Sequence, residues 1–136
     1  MTIGYSTSLR DARAQAIVDA LDAGSAGGKA TFYGATRPAT GEAVVAQIEV
    51  ATCIFGTPGG VVSNGVITFA EIEADNAGAA GVDISWVRLS DSDDNFVADM
   101  DCGLTGSGAE FIFDDVSSKL GGGVKIASGG ITEGNS

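Results

Sequence analysis

The chain has no histidine, and the chemistries built on imidazole go with it: Ser-His-Asp and Cys-His nucleophilic systems, histidine-ligated zinc, and acid–base work by a ring that titrates near neutrality. Cysteine is nearly as scarce. Cys53 and Cys102 each stand in an apolar, strand-like stretch, and without a C-x-x-C pair a four-ligand zinc site is excluded. Buried free thiols are the simpler reading, although spacing leaves a pairing open. Bases are few, 7 Lys and Arg against 18 Asp and Glu, for a formal net charge of −11. Such a surface repels phosphate backbones and anionic bilayers, so neither nucleic acid nor membrane is expected as a partner. No run reaches the ~18 apolar residues that would span a bilayer. The opening Met1-Thr-Ile-Gly-Tyr5 has neither the basic region nor the apolar run of a secretory signal. The expectation is synthesis in the cytoplasm with reduced thiols.

What is present reads as one β-rich domain. The length of 136 residues suits a single domain, and 44% hydrophobic residues argue against disorder. The 21 glycines have no G-X-Y period and read as turns. The acidic excess is concentrated: Glu71 to Asp115 holds twelve acids and a single base, Arg88, while the flanks are neutral.

A helix is predicted over 8–23, with an apolar stripe of Leu9, Ala12, Ala16, Ile17, Ala20 and Leu21, packed mainly by Leu9, Ile17 and Leu21. Ser6 or Ser8 caps its start, Asp11 suits the dipole in the first turn, and Gly24 supplies a left-handed stop. Residues 1–7 precede it as an arm. After Gly24 the hydrophobic period changes to two. Val44–Val50, Val66–Ile72, Val82–Trp86, Phe96–Met100 and Ala109–Phe113 alternate, with shorter strands at Ala30–Tyr33, Val124–Ala127 and near Ile131. Turn clusters such as Ser63–Gly65 and Asp91–Asn95 separate them. The expected fold is all-β with one N-terminal α-helix: a single domain over 1–136, an antiparallel two-sheet β-sandwich, jelly-roll-like, with an immunoglobulin-like order left open.

Candidate sites are thin. Asp91-Ser-Asp93-Asp94-Asn95 imitates half of an EF-hand loop, but Phe96 stands where the turn glycine belongs and Cys102 where the bidentate glutamate belongs. Asp91, Asp93 and Asn95 are thus at most a weak metal candidate, in a loop expected to join the Trp86 and Phe96 strands. Gly24–Thr31 lacks phosphate-loop spacing and follows a helix instead of preceding one. Asp99 and Asp101 share a strand face without a sign of acid–base work. Trp86 and the phenylalanines fall at core positions. No enzyme activity and no cofactor are expected.

Four segments in order, Leu9–Gly24, Tyr33-Gly-Ala-Thr-Arg37-Pro38, Trp86-Val-Arg88-Leu-Ser-Asp91-Ser-Asp93 and Ile131-Thr-Glu-Gly-Asn135, resemble a family of small virion proteins of tailed bacteriophages, the capsid cement or decoration proteins of short-tailed phages. The resemblance implies a structural protein, often a dimer, on the outer capsid surface of the virion. It would bind the major capsid protein across capsomer boundaries and stabilise the shell. Thr2, Ile3, Tyr5, Arg10, Arg13 and Ile131 are the interface candidates. A tail or head–tail virion component, or a calcium- or carbohydrate-binding β-sandwich module, is the alternative.

Overall fold

The computed structural model describes residues 4–70, 72–73, 82–104, 107, 111–113 and 126–132. Thr2 and Ile3, the acids Glu71, Asp75, Glu110, Asp114 and Asp115, and the expected turns at 75–81 and 121–123 lie outside the described residues.

Helix α1 runs Thr7–Leu21, capped by Ser6, whose Oγ accepts from the Leu9 amide at 3.3 Å. Its buried residues are Ala14, Val18 and Leu21, with Ile17 half-buried beside them. The expected stripe is therefore rotated: Leu9 is 45% exposed, and Ala12, Ala16 and Ala20 face outward. Alanine is small enough to sit on either side of a helix, so the large side chains of Ile17, Val18 and Leu21 set the phase. Two further expectations are corrected. Asp11 is not an anion of the first turn; its carboxylate accepts from the Gly65 amide. Gly24 is not a left-handed stop, because Asp22 ends the helix and the positive-φ glycines among the described residues are Gly41 and Gly65. Gly24 is where a Cβ would collide with Ser92.

The strands are β1 (Lys29–Gly34), β2 (Ile48–Phe55), β3 (Gly60–Ser63), β4 (Val66–Phe69), β5 (Ile72–Glu73), β6 (Trp86–Ser90), β7 (Phe96–Leu104), β8 (Phe111–Phe113) and β9 (Ile126–Thr132). They hydrogen-bond in the order β3-β4-β9-β8-β7-β6-β1-β2-β5. This order comprises two antiparallel sheets, β5-β2-β1-β6-β7 and β8-β9-β4-β3. β7 joins them: its first part pairs antiparallel with β6, while Cys102, Gly103 and Leu104 pair parallel with β8. That parallel contact departs from the all-antiparallel expectation. The Val66–Ile72 stretch, expected as one strand, is two, β4 and β5, in different sheets. β3 was not expected at all, since only Val61 and Val62 separate two turn clusters. The Val44–Val50 strand starts only at Ile48.

One core cluster is built on the first sheet from Phe32, Val50, Cys53, Phe55, Val87, Leu89 and their neighbours, and includes Leu21 of the helix. A second holds Ala14, Val18 and Ile67. Phe69 and Ile131 pack against both, so helix and sheets share one interior. Cys53 and Cys102 are not joined by a disulfide; β1 and β6 lie between their strands, about 14 Å across the sheet, well beyond disulfide reach.

The β3–β4 turn was legible in Asn64-Gly65. Both residues have positive φ, 52° and 76°, as a type I′ hairpin requires. Gly65 is also where α1 rests, since a Cβ there would come within 2.8 Å of the Arg10 guanidinium. Gly65→Ala is expected to cost about 1–2 kcal/mol, read as a lower urea midpoint with unchanged m-value.

Candidate functional site

Register assembles the best-built polar cluster. Tyr33 pairs with Trp86 and Trp86 with Asp101, while Thr31 pairs with Arg88 and Arg88 with Asp99. Their neighbours Phe32, Val87 and Met100 point into the core, so alternation puts Tyr33, Trp86, Arg88, Asp99 and Asp101 on the opposite, outer face. Trp86 was expected in the core. It is only 1% exposed, but it is buried on the far side of the sheet. The alternation Val82, Ile84, Trp86 fails because regular strand begins only at Trp86. Phe96 is also corrected: it is 44% exposed. The register slips between Leu89 and Ser90, so Leu89 pairs with Ala98 and Ser90 with Phe96, and Val97 packs on the core.

The β1–β2 connection, residues 35–47, straps this face. Arg37 donates to the Asp99 carbonyl (3.3 Å) and pairs with Asp101 (3.5 Å). The Gly41 amide donates to Asp99 Oδ2 (3.1 Å), Ser85 Oγ donates to the Ala35 carbonyl (2.7 Å), and Gln47 Nε2 donates to the Thr36 carbonyl (2.8 Å). Beneath it Arg88 grips Asp99 with both arms, Nε to Oδ1 at 2.8 Å and Nη2 to Oδ2 at 2.9 Å. The guanidinium lies 5.5 Å from the Trp86 ring and 5.3 Å from that of Phe96. Tyr33 stacks on Trp86 with centroids 4.5 Å apart. Burial pushes the Asp99 carboxyl up, but the Arg88 hydrogen bonds, the Gly41 amide and the charges of Arg88 and Arg37 outweigh it and hold it below its ordinary range. Burial, with Glu49 nearby, raises the Tyr33 phenol.

At the strap's edge an open cleft of about 570 Å³ is lined by Thr36, Arg37, Asp83, Ser85, Trp86 and Asp101 among others. The Trp86 Nε1–H is buried and has no acceptor among the described residues. Such an orphan donor costs about 1–3 kcal/mol.

The structure brings Asp91, Asp93 and Asn95 together, but as a closed hairpin loop. Asp91 Oδ1 accepts from the amides of Asp93 and Asn95, both at 2.9 Å, and Oδ2 from Asn95 Nδ2 at 2.8 Å. These bonds, the Asn95 side chain first, lower the Asp91 carboxyl and use the lone pairs a cation would need. No group of three or more ligating side chains occurs among the described residues. Lys29, within the phosphate-loop look-alike, pairs with Asp94 at 2.8 Å. Among the interface candidates, Arg13 lies over the Tyr5 ring at 4.9 Å and Arg10 rests on the Gly65 turn. Ile131 packs on both core clusters, so its side chain serves the interior.

In the sequence Asp99 stands out only as one of a pair of acids, and Arg37 only as part of its motif. The available signal was Arg88, a single base among twelve acids, which required a carboxylate partner. No family model matches the chain, and no curated protein or solved structure matches it either.

Proposed function

We propose that the chain is a structural virion protein, a capsid cement protein of the short-tailed phage type. It binds the major capsid protein on the outer surface of the shell, across capsomer boundaries, as a homo-oligomer with a dimer favoured. In this reading the two sheets form a jelly-roll-like sandwich. One observation carries it: two of the segments bearing the resemblance, Tyr33–Pro38 and Trp86–Asp93, are far apart in sequence yet meet on one sheet face, through the Tyr33–Trp86 stack and the Arg37 and Arg88 contacts to Asp99. A resemblance on residues that build the architecture bears on fold more than one scattered over a solvated surface. The charge agrees with the role. A net −11 favours solubility at high copy number and disfavours the DNA-lined lumen. Binding only the assembled shell stabilises that state by mass action, repeated at every site.

The test is to heat or osmotically shock particles assembled with and without the chain. Particles lacking it are expected to release DNA at a lower temperature, and the chain is expected in many copies over the shell. Equal survival, or a few copies at one vertex, removes the cement role and favours a tail component. Deleting residues 1–4 tests the arm without removing Ser6, which caps the helix, or Tyr5, which lies against Arg13. Loss of decoration is expected, and full decoration by the shortened chain removes the arm's part.

A further inference from the structure

We propose that the free edge of β3 is a self-association surface, where a second copy of this chain adds its own β3 antiparallel across a twofold axis. The inference rests on the homo-oligomer reading above and names its contact. β3 ends the strand order, and among the described residues no strand pairs with its other side. A two-residue loop makes Ser63 and Val66 a hydrogen-bonded pair, so the backbone N–H and C=O groups of Gly60 and Val62 point away from β4. Such groups invite another strand, and natural edges are guarded against one by charge, proline, a bulge or extreme shortness. The opposite edge is guarded: β5 is two residues long and ends on Glu73. β3 has none of these guards. It reads Gly-Val-Val-Ser, pairs with β4 residue for residue, and lies within Val50–Ala70, the longest uncharged stretch of the sequence. Asp22 and Asp11, which reach its two ends, are each spent on a backbone amide, of Gly59 and Gly65. A chain of net −11 repels its own copies over most of its surface, so an uncharged edge is where two can meet. The edge is also self-complementary. With the axis at Val61, Gly60 of each copy pairs with Val62 of the other, and each pair exchanges both of its backbone bonds. Val61, 66% exposed, then faces its twin on the outer face as a close, non-hydrogen-bonded pair. The inner face is already filled, since Val62 packs against the cluster of Ala14, Val18 and Ile67.

Sedimentation velocity of the full chain, over a range of concentrations and at low and high salt, reads the association. A monomer–dimer equilibrium is expected, and salt is expected to strengthen it by screening the −11 on each copy. Val61→Lys sets two ammonium groups against each other across the axis. It is expected to weaken dimerisation by about tenfold or more, with an unchanged urea midpoint because the side chain is exposed. Val45→Lys adds the same charge at a more exposed valine of the strap and is expected not to weaken it. Val61→Cys reads the register. Facing residues there stand about 4.5–5.5 Å apart, so mild oxidation is expected to give a reducible dimer above the wild-type background. Ser63→Cys is not expected to, since its two copies would stand about 14 Å apart along the strands. Weakening by salt, equal weakening by Val45→Lys, or equal cross-linking at positions 61 and 63 overturns the proposal. A dimer untouched by Val61→Lys overturns the edge and leaves the homo-oligomer reading in place, whereas a wild-type chain monomeric at every concentration overturns both.

Discussion

Leu21→Asp is expected to leave much of the chain unfolded at room temperature. Leu21 is fully buried in the first core cluster, as the last residue of the helix. Gly28 and Gly59 press on its side chain so closely that a Cβ on either would fall within 2.5–2.7 Å of it, so there is no room for water to follow a charge inward. The substitution removes the leucine packing and buries an unpartnered carboxylate. The loss is about 4–5 kcal/mol, a large part of the ~5–15 kcal/mol that stabilises a domain. Leu9→Asp is the matched control. A stripe centred on Leu9 would make it as damaging, whereas the observed phase leaves Leu9 near half exposed in the first turn, where an acid suits the helix dipole. Its effect is expected within about 0.5 kcal/mol of neutral by urea denaturation.

Asp99→Ala is the second large effect, expected at about 3 kcal/mol. The Asp99 side chain is fully buried and that of Arg88 is 16% exposed, so removing the carboxylate leaves a poorly hydrated guanidinium and an unmatched Gly41 amide under the strap. Replacing Arg88 with Met in the same chain is expected to recover much of the loss, because the stranded charge goes with it. Acid has a related effect. Asp99 and Asp91 are both held below the ordinary carboxyl value of 3.8 in the folded chain. The unfolded chain therefore binds more protons in that range, and stability rises with pH. Their contribution is complete above about 3.8 and is lost as pH falls through the lower folded values. Urea midpoints from pH 6 to pH 2 are expected to show a plateau and then a decline, shallower in Asp99→Ala. A decline of unchanged steepness in that variant would exclude Asp99 as a source.

Local chemistry carried the legible part of the fold. The helix, the Asn64-Gly65 turn and the Asp91–Asn95 loop follow from residues within a few positions of one another, and each stands where it was expected, the helix over 7–21 and not 8–23. What escaped depends on register. Trp86 and Phe96 are apolar residues at apparently alternating positions, but a strand that starts at Trp86 and a slip opposite Leu89 reverse the face they occupy. The Arg88–Asp99 pair is an eleven-residue separation that only the β6–β7 register closes, and the strap joins it from residue 41. The division of Val66–Ile72 between sheets is equally non-local: Ile67 and Ile72 have the same character, and only their different partners, Ile131 and Phe55, separate them.

The position of β9 sets a timetable for the nascent chain. β9 lies between β4 and β8, and Ile67 pairs with Ile131, so the second sheet has no interior strand until the last part of the domain has left the ribosome. The helix and the β3–β4 hairpin are synthesised first and wait with one edge of β4 open. A copy nearby carries the same complementary β9, so crowded synthesis sets pairing within one chain against strand exchange between two. β1 likewise has one edge open until β6 is made, but β6 and the start of β7 are complete well before β9. Co-translational order therefore runs from that sheet toward β9, and a stall late in translation would expose β4 and not β1.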